Sequence, residues 1–473
     1  MKKIVIFLFF QAFAIFKIEA QLPYTQELFD YRVESDIVYG IAINYAGNPD
    51  TLRLDIYKPV SDNKLKRPML VLVHGGAWVG GTKADGEVQS LAQLFAKRGY
   101  VVASINYRLG MHPSSGGGSN TATCTLVTPE ANCAYVADSA EVVRAIYRGM
   151  QDVKGAIRFM KGRAEIDSTC KENTYLSGVS AGGFCALAAA YLDVDAEKPI
   201  TTFYLPDAEQ PANSLNYCHN YFNATNASIN RARPDLGSIE GDVALNGNSS
   251  KVKGIANFYG GMLTNLFEQY VDEAPLLYLF HQTADVVVTC ARAPILSNLS
   301  YDCLDPLGFL GCNHIWNMPW SYGSCSITSL IENSAEPVQF QNAIVNNGAP
   351  NCLLQPPGHS ILNFPERVNE ITNFFGERIL TVELSSCEQP TGILNVRNAI
   401  KIFPNPGNEQ LQIELAFVPF KLEITDLNGR VLVSKFTNQK DIILETSFLS
   451  NGFYLLNCIS KSGEKFTLKW LHN

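Results

Sequence analysis

Residues 178–182 read Gly178-Val179-Ser180-Ala181-Gly182 and form the most informative stretch of the chain. Asn173 to Ser177 before it has the composition of a short strand, and Gly183 to Leu192 after it is an Ala- and Leu-rich run that predicts a helix. A serine between a strand and a helix, flanked by glycines, fits the G-x-S-x-G turn that exposes a nucleophile on a strained backbone. A glycine-rich turn without function has the same composition, so the interpretation depends on the rest of the chain.

A second motif lies upstream, where Met69 to Val73 is a continuous apolar run rich in β-branched residues. Such a run is typical of a strand that is buried on both faces. It leads into His74-Gly75-Gly76-Ala77-Trp78, and a glycine pair at this place lets backbone N–H groups turn toward a ligand. Acyl transfer needs donors of this kind for the oxyanion of its tetrahedral intermediate. A plain strand-ending turn is the simpler alternative.

The acid of a catalytic triad is predicted at Asp285. Pro275 to His281 has the pattern of another buried strand, and Asp285 lies in the turn that follows it. Triads built on a G-x-S-x-G turn follow the chain order Ser, acid, His, which places the carboxylate after a late strand. Asp302 and Asp305 are alternatives, although neither follows a clear strand.

The base of the triad is predicted at His359, which follows the acid in a loop before a predicted helix from Pro365 to Glu377. His281 competes for this role, but it ends a strand and is expected to pack or to form hydrogen bonds there. In the general mechanism Ser180 attacks the acyl carbon and His359 takes its proton, then passes it to the leaving group. Asp285 orients the imidazole and stabilises the imidazolium.

These motifs together resemble the α/β-hydrolase superfamily. They look most like its carboxylesterase branch with an HGG-type oxyanion loop, near the hormone-sensitive-lipase-like and feruloyl-esterase-like enzymes. The matching strings also include Leu54 to Pro59, Arg98 to Leu109 and Asp152 to Phe159. The resemblance covers roughly residues 35 to 380. It implies an α/β fold, with a mostly parallel sheet flanked by helices.

The resemblance also implies the oxyanion donors, which would be the backbone amides of Gly76, Ala77 and Ala181. Ala77 departs from the pattern, because lipase-like relatives often have a third glycine there. A backbone donor tolerates alanine if φ is negative, so we expect a negative φ and an intact oxyanion hole. Trp78 matches the HGGxW variant of the motif. Trp78 and Phe184 are the candidates for the substrate pocket.

Composition bounds the class of protein. The chain has 473 residues, of which 46% are hydrophobic and 17% charged, which suits a globular protein with a large core. Residues 1–20 predict a secretory signal peptide, because Lys2-Lys3 precede the apolar run from Ile4 to Phe16. That run is too short to span a bilayer, so no transmembrane segment is expected in the mature chain. The net charge of −8 argues against nucleic acid as a partner.

Twelve cysteines in an exported chain suggest disulfides. We predict at least three, concentrated between Cys290 and Cys352, whereas Cys185 is expected to be a buried thiol. A metal site is the alternative for residues 303–325, at Cys303, Cys312, His314 and Cys325. Their spacing fits no zinc pattern, so neither a metal nor any other cofactor is expected.

The domain organisation follows from changes of pattern along the chain. Residues 21–384 are assigned to the hydrolase domain, 385–398 to a linker, and 399–473 to a small all-β sandwich with hairpin turns. Irregular stretches at about 110–137, 200–250 and 287–355 interrupt the hydrolase pattern. We expect at least one of these insertions to shape the pocket for the acyl or alcohol part of a substrate.

The C-terminal module resembles the sorting domain of bacterial type IX secretion. The matching residues are Ile402 to Pro406, Asp426 with Gly429-Arg430, Leu449 to Tyr454, and Lys469. The resemblance implies that the type IX secretion machinery is a partner. It also implies that a Gram-negative bacterium secretes the protein or holds it at the cell surface. A carbohydrate-binding or adhesion sandwich is the competing interpretation.

The expected function is that of a secreted serine hydrolase that cleaves carboxylic esters through an acyl-enzyme. Polymer-linked esters, feruloyl or acetyl esters and polyesters are the candidate substrates. Two alternatives remain. One is a serine peptidase of the same superfamily, and the other is a non-catalytic binding protein on a hydrolase fold.

Overall fold

The computed structural model describes residues 22–112, 139–208, 230–267, 274–297, 318–334, 338–349, 358–382 and 400–472, the last range without 408, 416–418, 427–429, 438 and 461–464. The chain forms two compact units, Met1–Cys387 and Glu388–Asn473. The predicted signal peptide and linker lie outside the described residues, as do Asp302 and Asp305. Within the described part, none of the helices combines the length and the apolarity needed to cross a membrane.

The first unit is organised around strands and helices that alternate along the chain. Its strands are β1 Asp30–Ile43, β2 Pro49–Val60, β3 Arg67–Val73, β4 Val101–Ile105, β5 Thr169–Val179, β6 Gly254–Phe258, β7 Leu276–Gln282, β8 Arg292–Pro294, β9 Trp320–Tyr322 and β10 Phe340–Val345. Its helices are α1 Gly86–Ala96, α2 Ser139–Gly162, α3 Ala164–Asp167, α4 Ala181–Tyr191, α5 Ser324–Glu332 and α6 Phe364–Val382. Short 3₁₀ turns lie at Asp195–Glu197 and Ile200–Thr202.

The main sheet of this unit has eight strands in the order β1-β2-β4-β3-β5-β6-β7-β10. The pairs from β4 through to β10 are parallel, whereas β1 and β2 are antiparallel strands at one edge. β8 and β9 form a separate antiparallel ribbon. A mostly parallel sheet requires helical connections over its faces, which is the predicted α/β class. The predicted fold class is therefore confirmed.

The central strand β3 shows how the sheet is held. All of its residues are buried. Met69, Val71 and Val73 belong to the core on one face of the sheet, and Leu70 and Leu72 belong to the core on the other face. Because side chains alternate across a strand, a continuous apolar run supplies both cores at once.

The second unit is an antiparallel β-sandwich, as predicted. Its strands are β11 Ile400–Phe403, β12 Gln410–Leu415, β13 Pro419–Thr425, β14 Val431–Phe436, β15 Asp441–Glu445, β16 Gly452–Ser460 and β17 Lys465–His472. They form one sheet in the order β11-β12-β15 and another in the order β14-β13-β16-β17. Residues from both sheets share one core around the buried Trp470, including Ile413 and Leu456. The alternating runs at β12 to β16 are visible in the sequence, whereas the outer strands β11 and β17 were not predicted.

The described cysteines bear on the disulfide prediction. Cys290 and Cys325 are bonded to each other, and Cys170 is also disulfide-bonded. Cys185 is a buried free thiol, as expected from its helix. Cys303, Cys312 and His314 lie outside the described residues, so the prediction of at least three disulfides stays a prediction.

Candidate active site

Ser180 lies at the sharp turn between β5 and α4. Its backbone has φ 54° and ψ −122°, a conformation that L-residues rarely adopt. The Ser180 amide donates to the carbonyl of Phe258 over 2.9 Å, which ties the turn to the end of β6. A Cβ at Gly178 would overlap the carbonyl of Gly182, and a Cβ at Gly182 would overlap the carbonyl of His74. The tight turn therefore explains both glycines of the motif.

The structure brings the three predicted triad residues together. His359 Nε2 lies 2.8 Å from Ser180 Oγ, and His359 Nδ1 lies 2.8 Å from Asp285 Oδ2. The Asp285 side chain is fully buried, and that of His359 is 17% exposed. A carboxylate at Nδ1 favours the tautomer in which Nδ1 carries the proton and Nε2 is free to accept one from the serine.

The Asp285 carboxylate is held by more than His359. Its Oδ1 accepts the amides of Val287 and Val288 at 2.8 and 3.0 Å, in the turn after β7. Burial alone would raise the pKa of Asp285. The charge of His359, with hydrogen bonds from His281 and His359, outweighs burial and lowers the pKa of Asp285 to about 2. The carboxylate is consequently ionised at neutral pH.

His281, the competing histidine, lies behind Asp285. Its Nε2 is 2.8 Å from the Val288 carbonyl and 3.3 Å from Asp285 Oδ2, and its Nδ1 is 3.0 Å from Ser324 Oγ. Two oxygen acceptors at Nε2 require the proton there, so Nδ1 accepts from the Ser324 hydroxyl. The residue packs and forms hydrogen bonds, as its place at the end of a strand predicts.

The glycine-rich loop after β3 lies directly beside Ser180. A Cβ added to Gly75 would be 3.1 Å from the Cβ of Ser180. Gly76 has φ 110°, and a Cβ there would overlap the carbonyl of Gly80. Within the described chain, the amides of Gly76, Ala77 and Ala181 donate no hydrogen bond to a protein acceptor. All three amides are therefore free to bind a ligand oxygen.

Ala77 does not have the backbone that the sequence predicts. Its φ is +50°, and Trp78 follows with φ +61°, so the expectation of a negative φ at Ala77 is wrong. The loop makes a left-handed turn, closed by amides of Val79 and Gly80 that both donate to the Gly76 carbonyl at 3.0 Å. This geometry accounts for the glycine that lipase-like enzymes often carry at the position, because glycine adopts it without strain.

The two pocket candidates have different surroundings. Trp78 is buried, and its Nε1 donates to the carbonyl of Ala181 over 3.1 Å. Its ring packs edge-on against Phe184, with centroids 5.3 Å apart. Trp78 therefore links the glycine-rich loop to the start of α4, and it is not among the described residues that line the neighbouring cavity. Phe184 does line that cavity.

The cavity has a volume of about 490 Å³ and lies between α2 and α4. Phe184, which lines the cavity, lies in the first turn of α4, where its amide donates to the Ser180 carbonyl over 3.3 Å. The lining is mostly apolar and includes Ile146, Met150, Phe184, Ala188, Leu192 and Trp320. Ile200 and Trp320, which also line it, come from the second and third of the irregular stretches.

Sequence reasoning missed two residues that contact the His359 loop, Tyr259 and Glu87. The ring of Tyr259 lies 4.4 Å from the imidazole of His359, centroid to centroid. Tyr259 directly follows the buried strand β6, just as Ser180 directly follows β5, and this position is the signal that could have identified it. Nothing local marks Glu87, which lies in the first turn of α1.

The strand order and the strand–serine–helix turn define the α/β-hydrolase fold. Residues 54–115 match the family model BD-FAE. Residues 401–472 match the model described as "Secretion system C-terminal sorting domain". Both resemblances, to a hydrolase and to a sorting module, are thereby confirmed for the residues matched.

The curated relatives share only short segments with this chain. A "Probable isoprenylcysteine alpha-carbonyl methylesterase" of Arabidopsis thaliana is 44% identical over 80 residues, which are 17% of each chain. "Gut esterase 1" of Caenorhabditis elegans is 37% identical over 67 residues, 14% of this chain and 11% of the relative. The match thus spans less than a fifth of either relative's length.

Among solved structures, an esterase of Thermogutta terrifontis with bound propionate has 17% sequence identity and a TM-score of 0.36. The alignment covers 78% of this chain and 100% of that one. The fold assignment rests on the strand order of the sheet and not on this likeness.

Proposed function

We propose that this protein is a serine hydrolase that cleaves carboxylic esters through an acyl-enzyme. The observation that carries the proposal is the line of hydrogen bonds from Ser180 Oγ through His359 to Asp285, 2.8 Å at each step. It joins the strained turn at Ser180, a histidine whose side chain is 17% exposed, and a buried, ionised carboxylate. This combination of roles is what nucleophilic acyl transfer requires.

In the proposed mechanism Ser180 Oγ attacks the acyl carbon while His359 Nε2 takes the hydroxyl proton. The imidazolium then donates that proton to the departing alcohol, which leaves an ester on Ser180. Water, deprotonated by the same nitrogen, attacks this ester and releases the acid. The Asp285 carboxylate keeps Nδ1–H in place and stabilises the imidazolium in both halves of the reaction.

The oxyanion of each tetrahedral intermediate would be bound by the amides of Gly76, Ala77 and Ala181. Ala181 is the first residue of α4, so the positive end of the helix dipole adds to its N–H. The free amides and the close approach of Gly75 to Ser180 support this assignment. Donors held in place before the reaction stabilise developing charge without reorganisation.

The cavity beside α4 supports a substrate with an apolar acyl or alcohol part. Phe184 and Ala188 lie on one face of α4 and Leu192 directly follows it, so this part of the lining spans about 12 Å along the helix axis. A space of this size and polarity suits a medium-length alkyl or an aryl group. Feruloyl-type aryl esters fit this description, as do polymer-linked esters and polyesters that present an apolar segment.

The sorting module supports export of the enzyme. We propose that the type IX secretion machinery recognises residues 401–472 and delivers the protein to the cell surface or the medium of a Gram-negative bacterium. An exported esterase would meet substrates that are too large to enter a cell. The polymer-linked esters among the candidate substrates are of this kind.

A fluorophosphonate probe tests the chemistry without requiring the natural ester. We expect it to label Ser180 in the intact protein, because the probe reacts with serines that a histidine activates. A His359→Ala variant should not be labelled. If the intact, folded protein remains unlabelled, the proposed function is wrong.

An ester panel tests the pocket. p-Nitrophenyl esters of increasing chain length, methyl ferulate, acetylated xylan and a polyester film would be compared for the parent and for Ala188→Phe. Ala188 lines the cavity, so the larger side chain should block long-chain and aryl esters and leave the acetate ester within about threefold. Equal loss on all esters would place the substrate elsewhere.

A further inference from the structure

A tyrosine and a glutamate outside the triad hold the segment that carries His359. The side chain of Tyr259 is almost fully buried, and its ring lies against the imidazole at an interplanar angle of 57°. Its hydroxyl donates to Glu87 Oε2 over 2.5 Å. The other oxygen, Glu87 Oε1, accepts the backbone amide of Ile361 over 3.2 Å. One carboxylate therefore joins the ring under the imidazole to the chain two residues beyond it.

The backbone of Tyr259 lies at the end of the sheet where the strands that lead to Ser180 and Asp285 also end. Its φ is 42°, and its amide donates to the Phe280 carbonyl of β7 over 2.8 Å. The preceding carbonyl, that of Phe258, accepts the amide of Ser180 over 2.9 Å. Tyr259 thus lies at the end of β6, between the strand that leads to Ser180 and the strand that leads to Asp285. A left-handed tyrosine persists only where the surroundings impose it.

We propose that Glu87 and Tyr259 are positioning residues for His359. This inference rests on the proposed function, since it assigns them to the general base of that reaction. Asp285 binds one ring nitrogen but leaves the imidazole free to turn about the line between its two partners. The Tyr259 ring limits that rotation, and the Glu87 carboxylate prevents the loop at Ile361 from withdrawing. Burial, together with the charge of Glu87, raises the pKa of Tyr259, so its hydroxyl remains a donor.

The test compares two buried tyrosines that make the same kind of hydrogen bond. Tyr278 also donates to a glutamate, Glu370, over 2.5 Å, but it lies on β7 facing α6. Tyr259→Phe and Tyr278→Phe each remove one such bond and keep the ring. We expect both to lower the melting temperature by similar amounts. Only Tyr259→Phe should lower kcat on p-nitrophenyl acetate, by about 3- to 10-fold, with KM within about twofold.

Glu87→Ala removes both tethers and should lower kcat by about 10- to 100-fold, again with KM little changed. Glu87→Gln keeps an oxygen acceptor and the side-chain length, so it should restore most of kcat. Gln93→Ala, in the same helix α1, is the control for a change of helix surface and should behave like the parent. The rate at which a fluorophosphonate labels Ser180 should follow kcat in every variant, since both depend on His359 as base.

The outcomes separate this inference from the proposed function. If the parent is not labelled and hydrolyses no ester, the serine hydrolase assignment fails. If the parent is active, but folded Tyr259→Phe and Glu87→Ala keep its kcat and labelling rate, the two residues do not position His359. A fall in kcat that is equal in Tyr259→Phe and Tyr278→Phe would likewise overturn the inference, because it would reflect lost stability alone.

Discussion

The two units of this protein use sheets in opposite ways. In the hydrolase unit, parallel strands end at a common edge, and the residues that follow them take strained conformations, with positive φ at Ala77, Trp78, Ser180 and Tyr259. Among the described residues of the C-terminal sandwich, none has a positive φ. Its antiparallel strands instead pair along their lengths around one apolar core. Seven other non-glycine residues of the first unit also have a positive φ, so strained backbone is a feature of this unit, including its site, and not of the described part of the sandwich.

Because the strained residues of the site lie in the first unit, substitutions there should affect catalysis and stability differently, and experiments can measure both. A residue held in an unfavourable backbone conformation reduces the free energy of unfolding, and it persists because the packed strands around it over-determine the local geometry. The hydrolase unit has two apolar cores, one on each face of the sheet, that can support such positions. The sandwich, with its single small core, carries no comparable site among its described residues.

The largest effect is expected at Ser180. Ser180→Ala should reduce ester hydrolysis by about 10⁴-fold or more, because a member of the triad is lost. Ser180→Gly should be equally inactive but should melt at a higher temperature than the alanine variant, since glycine adopts φ 54° without steric cost. The measurements are initial rates and thermal unfolding by circular dichroism.

A control on the same strand makes that comparison specific. Ser177 is a buried serine on β5 whose hydroxyl has no hydrogen-bond partner among the described residues. Ser177→Ala should retain the parent's activity. More than a few per cent of activity left in Ser180→Ala would mean that another residue is the nucleophile.

The disulfide Cys290–Cys325 should stabilise only the first unit. The two cysteines are 35 residues apart in the sequence, and closing a loop of that length stabilises the folded state by about 4 kcal/mol. Replacing both cysteines by alanine should lower the unfolding transition of the hydrolase unit in calorimetry and leave that of the sandwich in place. A shift of both transitions together would show that the two units unfold as one.

Because of Asp285, the free energy of unfolding of the first unit should depend on pH in the acidic range. Its pKa is about 2 in the folded chain against 3.8 for the free group. Its contribution is therefore present above about pH 4 and is lost as the pH falls from about 4 to 2, about 2 kcal/mol in all. Asp285→Asn cannot titrate, so its free energy of unfolding should fall less over this range. Parallel pH curves for the two proteins would contradict the lowered pKa.

The smallest effect on catalysis should come from the largest deletion. A chain that ends at Leu384 lacks the sandwich but keeps every proposed catalytic residue, so its kcat/KM for a small ester should stay within about twofold of the parent's. In the native host the same deletion should leave the enzyme in the periplasm. Loss of small-ester activity would make the sandwich part of the catalytic unit, and loss of action on an insoluble polymer alone would favour a binding role. Unchanged export would contradict the sorting assignment.

Much of the fold and of the candidate site follows from the sequence, because these features are local. The buried strands β3 and β7 contain continuous apolar runs, and β5 ends at the glycine-flanked turn of Ser180. His74 directly follows β3, and Asp285 lies in the turn after β7. Since parallel strands end at one edge of a sheet, the order of such motifs predicts that they meet there. The strands of the C-terminal unit can also be predicted locally, because their side chains alternate between apolar and polar with a period of two.

What remained for the tertiary structure to decide were the contacts between distant segments. Glu87 and Ile361 are separated by 274 residues, and no local pattern relates this pair, whereas the order of the motifs related Asp285 to His359. The positive φ of Ala77 was missed because it is imposed by the turn that packs against Ser180, and not by alanine itself. The amino-acid sequence by itself determined which strands are buried and which motifs follow them, because burial and turn chemistry act over a few residues. The packing of whole strands decided how the imidazole is held, because that geometry exists only when β5, β6 and β7 lie side by side.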